Sequence, residues 1–222
     1  MEIFDTFFNL PVLIRTFPLL LSGLWITLQI GVVSILAGLV AGLGLALVRL
    51  YAAGWLRFLA RLYIDVMRSI PLLVLLIIIY YALPFVGIRL SPFLSAVAAL
   101  SLVSAAYTAE IFRAGIEAIP RGQFEASEAL GLGVRHKMVD VILPQAIRIV
   151  IPPLTNNCIN VMKDTALASV VAMPDLLKQA TQAQALSANP SPLIGAALIY
   201  LAILWPLVAA VSRLERRYGK DR

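Results

Sequence analysis

The chain carries one cysteine, Cys158, and one histidine, His136. A lone cysteine excludes an internal disulfide framework and any cysteine cluster around a metal. Free cysteine is habitually buried, so Cys158 reads as an inert interior thiol. His136 stands between Arg135 and Lys137 and reads as a solvated surface group, because a metal site needs several converging donors. No G-x-x-x-x-G-K-[ST] phosphate loop occurs, which excludes P-loop binding of ATP by this chain itself. The one histidine lies in a loop with no suitably placed serine nucleophile, so intrinsic catalysis is rejected. Charge is scarce too: 14% of the 222 residues are charged and 61% are hydrophobic. With a mean hydropathy of +0.92, the chain is too apolar for an ordinary soluble domain and must be solvated mostly by lipid.

Long apolar runs take the place of the missing polar chemistry. Runs of about 20 residues suit a hydrocarbon core about 30 Å thick, and five occur: Leu19 to Val48, Phe58 to Leu83, Ser91 to Ile111, Ile149 to Val171 and Leu193 to Val211. The fold class expected is an all-α membrane protein with about five transmembrane helices. The first run is too long and too late for a cleaved signal peptide, and Glu2 and Asp5 replace the basic leader such peptides carry. Residues 1–18 mix apolar side chains with Asn9, Pro11, Arg15 and Pro18, which suits a short helix lying at the outer interface. Residues 19–222 then form one membrane domain. Gly38 and Gly42 stand at G-x-x-x-G spacing, read as close helix packing within the subunit. Pro71 is expected to kink the second span. Residues 173–192 read as an outer loop with a short helix over 175–185. No internal repeat or low-complexity tract is present.

The net charge of +6 could suggest nucleic acid, but the placement of the charges decides otherwise. Of 18 Lys and Arg, 13 lie between the first two runs, around the central loop or at the C-terminus, and only Arg15, Arg89 and Lys178 lie on the other side. This is the positive-inside pattern: N-terminus outside, central loop and C-terminus cytoplasmic, and no nucleic-acid partner.

The central loop, residues 117–145, is a charged island. From Glu125 to Pro144 it reads E-A-S-E-A-L-G-L-G-V-R-H-K-M-V-D-V-I-L-P. Residues 123–130 are helix formers, with Glu125 and Glu128 expected in a first turn. Gly131 and Gly133 stop that helix. A second is expected from Val134 or Arg135 to Leu143, with Pro144 marking its end or a sharp turn. Two short helices joined by glycine make a compact knob; Gly131 supplies either a special backbone conformation or room for close approach.

The spacing E-A-A, three residues, G, nine residues, I-x-L-P resembles the coupling loop of ABC importer permeases. The flanking segments Ser104 to Ile116, Pro144 to Arg148 and Lys163 to Leu167 resemble the polar amino-acid uptake branch, and the likeness covers about residues 20–211. Ser127 replaces the second Ala, Val141 replaces Ile, and Val103 stands where Asn is frequent. The resemblance implies a type I ABC importer permease in the bacterial cytoplasmic (inner) membrane, with Glu125, Ala126, Gly131, Leu143 and Pro144 as coupling positions. It implies an ABC ATPase dimer that holds ATP and Mg, an extracytoplasmic amino-acid-binding protein, and a second copy or homologous permease. No cofactor is expected in this chain. A proton-coupled secondary transporter is the alternative, opposed by the lack of an inverted repeat; a non-transporting scaffold would leave the polar residues of the fourth run without purpose.

Those polar residues are Asn156, Asn157, Asn160, Lys163 and Asp164. Ionisable groups inside a membrane face protein or water, so a solute pathway is the default reading, with buried pairing at a dimer interface as the structural one. Asn156, Asn160 and Asp164 are spaced by four along one stripe. Counted from Pro153, Asp164 lies about 16 Å into its helix, near the midplane. Glu110 and Arg68 are further candidates: an acid for a solute's ammonium, and Arg68 with the backbone after Pro71 for its carboxylate. Counted from Ser91, however, Glu110 lies about 28 Å in, near the cytoplasmic edge, which favours pairing with Arg113 or bracing of the coupling loop.

Overall fold

The structure is a computed structural model and describes residues 6–219. Residues 1–5 of the proposed outer segment, with Glu2 and Asp5, and Lys220 and Arg222 of the basic C-terminus lie outside the described residues. No strand occurs among those described. Four helices are long and apolar enough to cross a membrane, and a bent pair makes up to five.

The first helix, α1 (Leu10–Tyr51, 42 residues), is continuous through Pro18. Residues 10–18, expected to belong to a separate interfacial helix, instead form the start of α1. Asn9 and Pro11 are its start signal. The Asn9 side chain accepts the Val12 N–H at 3.2 Å, with proline in the first two helical positions, where it gives up no needed hydrogen bond. At 1.5 Å per residue α1 spans about 63 Å, twice the hydrocarbon thickness.

Helix α2 (Gly54–Ser69) and the helical run that starts with α3 (Leu72–Ile77) and ends at Val86 meet at an angle of 102°, so the break at Ile70 and Pro71 is far sharper than a kink. The Ser91 side chain accepts the Leu94 N–H at the start of α4 (Pro92–Glu117). Packing of α1 on α4 is the largest helix contact, and the small residues explain it. A Cβ on Gly38 would lie 2.5 Å from Ser104 Oγ, and one on Gly42 would lie 2.5 Å from Thr108 Cβ. The G-x-x-x-G pair thus serves packing inside the subunit.

After α5 (Arg121–Ala129) the chain is helical from α6 (Val134–His136) through a π-helical stretch, Lys137–Ile142, into α7 (Leu143–Asp164) and a 3₁₀ turn, Thr165–Val171. Pro144, expected to end a helix, instead sits in the first turn of α7. The wider π stretch before it hands the Leu143 N–H to the Met138 carbonyl, so the ring meets a backbone already out of α register. Pro152 and Pro153 lie within α7 and do not interrupt it. The depth count for Asp164, begun after Pro153, does not hold; Asp164 is the last residue of α7. Asp175 caps α8 (Leu176–Ser187), close to the expected short helix, and α9 (Ser191–Gly219) completes the bundle.

Candidate functional site

The residues expected as coupling positions lie on a two-part knob, α5 and the π stretch with the start of α7, held together around Ile119 and Ile142. Helix α5 begins at Arg121, with Pro120 as its cap, so Glu125 sits in the second turn and the expected first-turn dipole argument fails. Its end is a Schellman motif: the Gly131 N–H bonds to the Glu128 carbonyl (2.9 Å) and the Leu132 N–H to the Ser127 carbonyl (3.1 Å). Gly131 holds φ +69°, and a Cβ placed on it would meet no atom within 4 Å, so within this chain its need is conformational.

Ser127, the departure from the E-A-A pattern, is buried and donates its hydroxyl to the Gln123 carbonyl at 2.6 Å. Small size is what that position requires. Ile142 is fully buried with Ile119 and Ala146, and Phe124, Met138 and Val141 pack around them. Lys137 Nζ donates to Glu128 at 2.6 Å. Glu125, Ala126, Gly131, Leu143 and Pro144 all stay exposed. Beside them Leu130 is 78% and Val134 73% exposed, an apolar surface on a braced support, which is what a docking element needs.

The second site is a cavity of about 280 Å³ between α3, α4 and α7, lined by Leu72, Leu100, Val103, Ser104, Tyr107, Asn157, Asn160, Val161, Lys163 and Asp164. It brings Asn160 and Asp164 together as the stripe argument expects, but Asn156 points elsewhere and donates to Glu215 on α9 at 3.2 Å. Helix geometry gives the reason. Seven residues return a side chain to within about 20° of its starting direction, whereas eight overshoot by about 80°. Asn157, not Asn156, therefore shares the face of Asp164. Its amide donates to Ser104 Oγ and Thr108 Oγ1, both at 3.2 Å, tying α7 to the α1–α4 contact.

Arg68 does not line the cavity directly. Its guanidinium carbon lies 5.5 Å from the ring centroid of Tyr107, which does, so Arg68 reaches the site as a cation stacked on its wall. Glu110 is absent from the cavity. It pairs with Arg49 of α1 at 2.5 Å and with Arg113, which also pairs with Glu117. The Arg113 partnership is legible at i, i+3; Arg49, 61 residues away in sequence, leaves no local signal. His136 pairs with Asp140 at 3.0 Å on the surface. Among the described residues no three His, Cys, Asp or Glu side chains gather as a metal site.

One acid the sequence did not single out is Asp175. It is fully buried and accepts the Leu177 and Lys178 N–H groups at 3.3 and 3.2 Å, while Thr27 of α1 accepts the Leu176 N–H at 3.0 Å. Burial pushes its carboxyl up to about 6 against those backbone donors.

Residues 34–220 match the family described as binding-protein-dependent transport system inner membrane component. The chain is 39% identical over 213 residues to the probable amino-acid ABC transporter permease protein YckA of Bacillus subtilis (strain 168), covering 96% of this chain and 94% of the relative. It is 41% identical over 202 residues to the arginine transport system permease protein ArtQ of the same organism, covering 90% and 92%. A solved structure of an amino acid ABC transporter with histidines superposes with a TM-score of 0.87 at 37% identity, covering 92% of this chain and 96% of that one. The proton-coupled alternative finds no support among these relatives. By sequence along nearly its whole length and by fold, the chain belongs to the binding-protein-dependent inner-membrane transport components.

Proposed function

We propose that this chain is the multi-pass permease subunit of an ATP-driven importer of a polar amino acid in the bacterial inner membrane. Residues 10–219 act as one membrane domain, with the N-terminus outside and the coupling loop and C-terminus cytoplasmic. The knob of α5 and the π stretch docks into a cleft on a separate ATPase through Glu125, Ala126, Gly131, Leu143 and Pro144. A dimer of that ATPase holds ATP and Mg²⁺, a second permease copy or homologue completes the pore, and an external amino-acid-binding protein delivers the solute.

The observation that carries the solute reading is the juxtaposition of an acid and a base, Asp164 and Lys163, on one wall of a small cavity also lined by amides and hydroxyls. An amino acid is a zwitterion. The Asp164 carboxylate takes its ammonium, while Lys163, with Arg68 behind Tyr107, faces its carboxylate; Asn160 and Asn157 offer hydrogen bonds that either end can use. At about 280 Å³ the cavity sits at the low end of ligand sites, which suits a solute of amino-acid size. Glu110, held by two arginines, braces α1 against the coupling end of α4.

The test is ATP-dependent uptake of radiolabelled amino acids by the assembled transporter in proteoliposomes. Asp164→Asn keeps the shape and removes the charge; losing a charged hydrogen bond costs about 1.5–3 kcal/mol, so uptake at limiting solute falls at least tenfold, with ATPase copurification unchanged. Unaltered uptake in Asp164→Asn removes the cavity from the pathway.

A further inference from the structure

A second polar cavity, of about 250 Å³, lies at the coupling-loop end of the bundle. Four guanidiniums line it: Arg49 of α1, Arg57 and Arg61 of α2, and Arg113 of α4, with Glu117 beside them. Glu110 and Glu117 neutralise Arg49 and Arg113. Among the described residues the Arg57 side chain donates only to the Ala52 carbonyl, at 3.3 Å, and the Arg61 side chain has no hydrogen bond or ion pair. Asp65, one turn beyond Arg61, is exposed, makes no ion pair among the described residues and does not line the cavity. Two carboxylates against four guanidiniums leave a surplus of two positive charges around one concavity. Such like charges repel unless something anionic lies between them.

The surroundings identify the chemistry of that anion. On the α2 wheel, Arg57 and Arg61 form an edge between the buried face of Ala60 and Ile64 and an exposed apolar face of Trp55, Phe58, Leu59 and Leu62. Trp55 marks the level where aromatic side chains sit at a membrane interface. A ligand matching both features has several acceptor oxygens in a compact charged head and an apolar body alongside it. Guanidiniums bind phosphate oxygens in a planar, two-pronged geometry, and Arg49 and Arg113 are already oriented by Glu110.

We propose that this cavity binds the phosphate headgroup of an anionic phospholipid, with the acyl chains on the Trp55–Phe58–Leu62 face. The site rests on the reading of the chain as membrane-embedded, but not on transport. Because Arg113 lies one turn before the end of α4, the lipid sits against the segment that leads into the coupling helix. The anionic fraction of that leaflet then sets how firmly α2 is held to α4.

The experiment is native mass spectrometry of the full chain in mild detergent, stripped of lipid and titrated with phosphatidylglycerol, phosphatidylcholine or inorganic phosphate. One phosphatidylglycerol per chain is expected to bind more tightly than phosphatidylcholine. Arg57→Gln with Arg61→Gln weakens it roughly thirtyfold, as expected for two basic side chains at a lipid surface, and Arg57→Lys with Arg61→Lys restores only part of it, because an ammonium keeps the charge but lacks the two-pronged guanidinium. Arg15→Gln with Arg89→Gln, at the other end, leaves it unchanged. Should the double Gln variant aggregate, Arg61→Gln alone carries the test, at roughly fivefold. Unchanged phosphatidylglycerol binding in the Gln variants overturns the proposal. So does its displacement by inorganic phosphate at matched concentration, which makes the site one for a free anion.

Discussion

Gly131 offers a perturbation whose cost inside the subunit can be separated from its cost at the docked ATPase. The residue holds φ +69°, and no atom lies within 4 Å of where a Cβ would stand. Within this chain an alanine there meets no neighbour, and the expected cost is the left-handed backbone alone, about 1–2 kcal/mol. Asparagine, which tolerates this region better, costs less. The two hydrogen bonds of the Schellman motif, Gly131 N–H to Glu128 and Leu132 N–H to Ser127, are at stake if the turn relaxes, but helix α5 stays pinned by Phe124 against Ile142. Gly131→Asn, Gly131→Ala and Gly131→Asp should therefore all insert, with melting temperatures in detergent within a few degrees of the parent. Coupling should separate them: Gly131→Asp introduces bulk and charge where the knob enters its cleft, and is expected to lose copurifying ATPase and stimulated ATP turnover at least tenfold more than Gly131→Asn does. The paired assays are thermal melting of the permease alone and ATPase activity of the assembled complex in nanodiscs. If Gly131→Asp retains full stimulated turnover, or if Gly131→Ala abolishes insertion, the assignment of Gly131 to docking is refuted.

Three further perturbations follow from the packing and the charges. Gly115→Ala places a methyl 2.0 Å from Val150 Cγ2 at the α4–α7 crossing, an overpacking expected to cost about 1–3 kcal/mol; Val150→Ala in the same chain should recover most of the melting temperature, and no recovery contradicts the crossing. Glu110→Gln leaves Arg49 and Arg113 facing each other without their shared carboxylate, a loss on the order of 2 kcal/mol for partly exposed charge-assisted hydrogen bonds, and a double-mutant cycle with Arg49→Gln should show coupling. Asp175 has its carboxyl raised from the ordinary 3.8 to about 6, so its contribution to stability is full below about pH 4 and is lost as pH rises through 6. Asp175→Asn keeps one of the two cap hydrogen bonds, from the Lys178 or the Leu177 N–H, loses the other, and removes the titration. Its stability relative to the parent should rise by up to about 3 kcal/mol between about pH 4 and pH 8; a pH-independent gap argues against a buried, titrating Asp175.

How much of the molecule is legible in its sequence depends on whether the signal is local. Helix α5, its stop at Gly131 and the break at Pro71 each follow from neighbouring residues, and the structure differs from expectation there mainly in degree: α5 begins two residues early, and the Pro71 break reaches 102°. Prolines mislead where the backbone has another way to satisfy its hydrogen bonds. Pro144 follows a π stretch, and Pro152 and Pro153 lie inside α7 without interrupting it. The cavity is half visible, because Asn160 and Asp164 do share a face, while a stripe extended by fours to Asn156 accumulates an error in helical phase that Asn157 avoids. Pairings between distant segments leave no trace: Arg49 with Glu110, Asn156 with Glu215, and Leu176 with Thr27. Asp175 carries the clearest lesson, since an acid in a loop reads as solvated until α1 is packed over it.

A separate ATPase meeting the knob is the contact on which the proposed transport depends, and site-directed crosslinking reads it. Ala126→Cys, made in a Cys158→Ser background so that it carries the only thiol, is expressed with its native membrane partners and crosslinked at exposed Ala126. The adducts are then identified by mass spectrometry. An adduct with a P-loop ATPase is expected, lost or reduced in Gly131→Asp. Absence of any ATPase adduct, together with uptake that survives ATP depletion but collapses with the proton gradient, contradicts the proposed coupling.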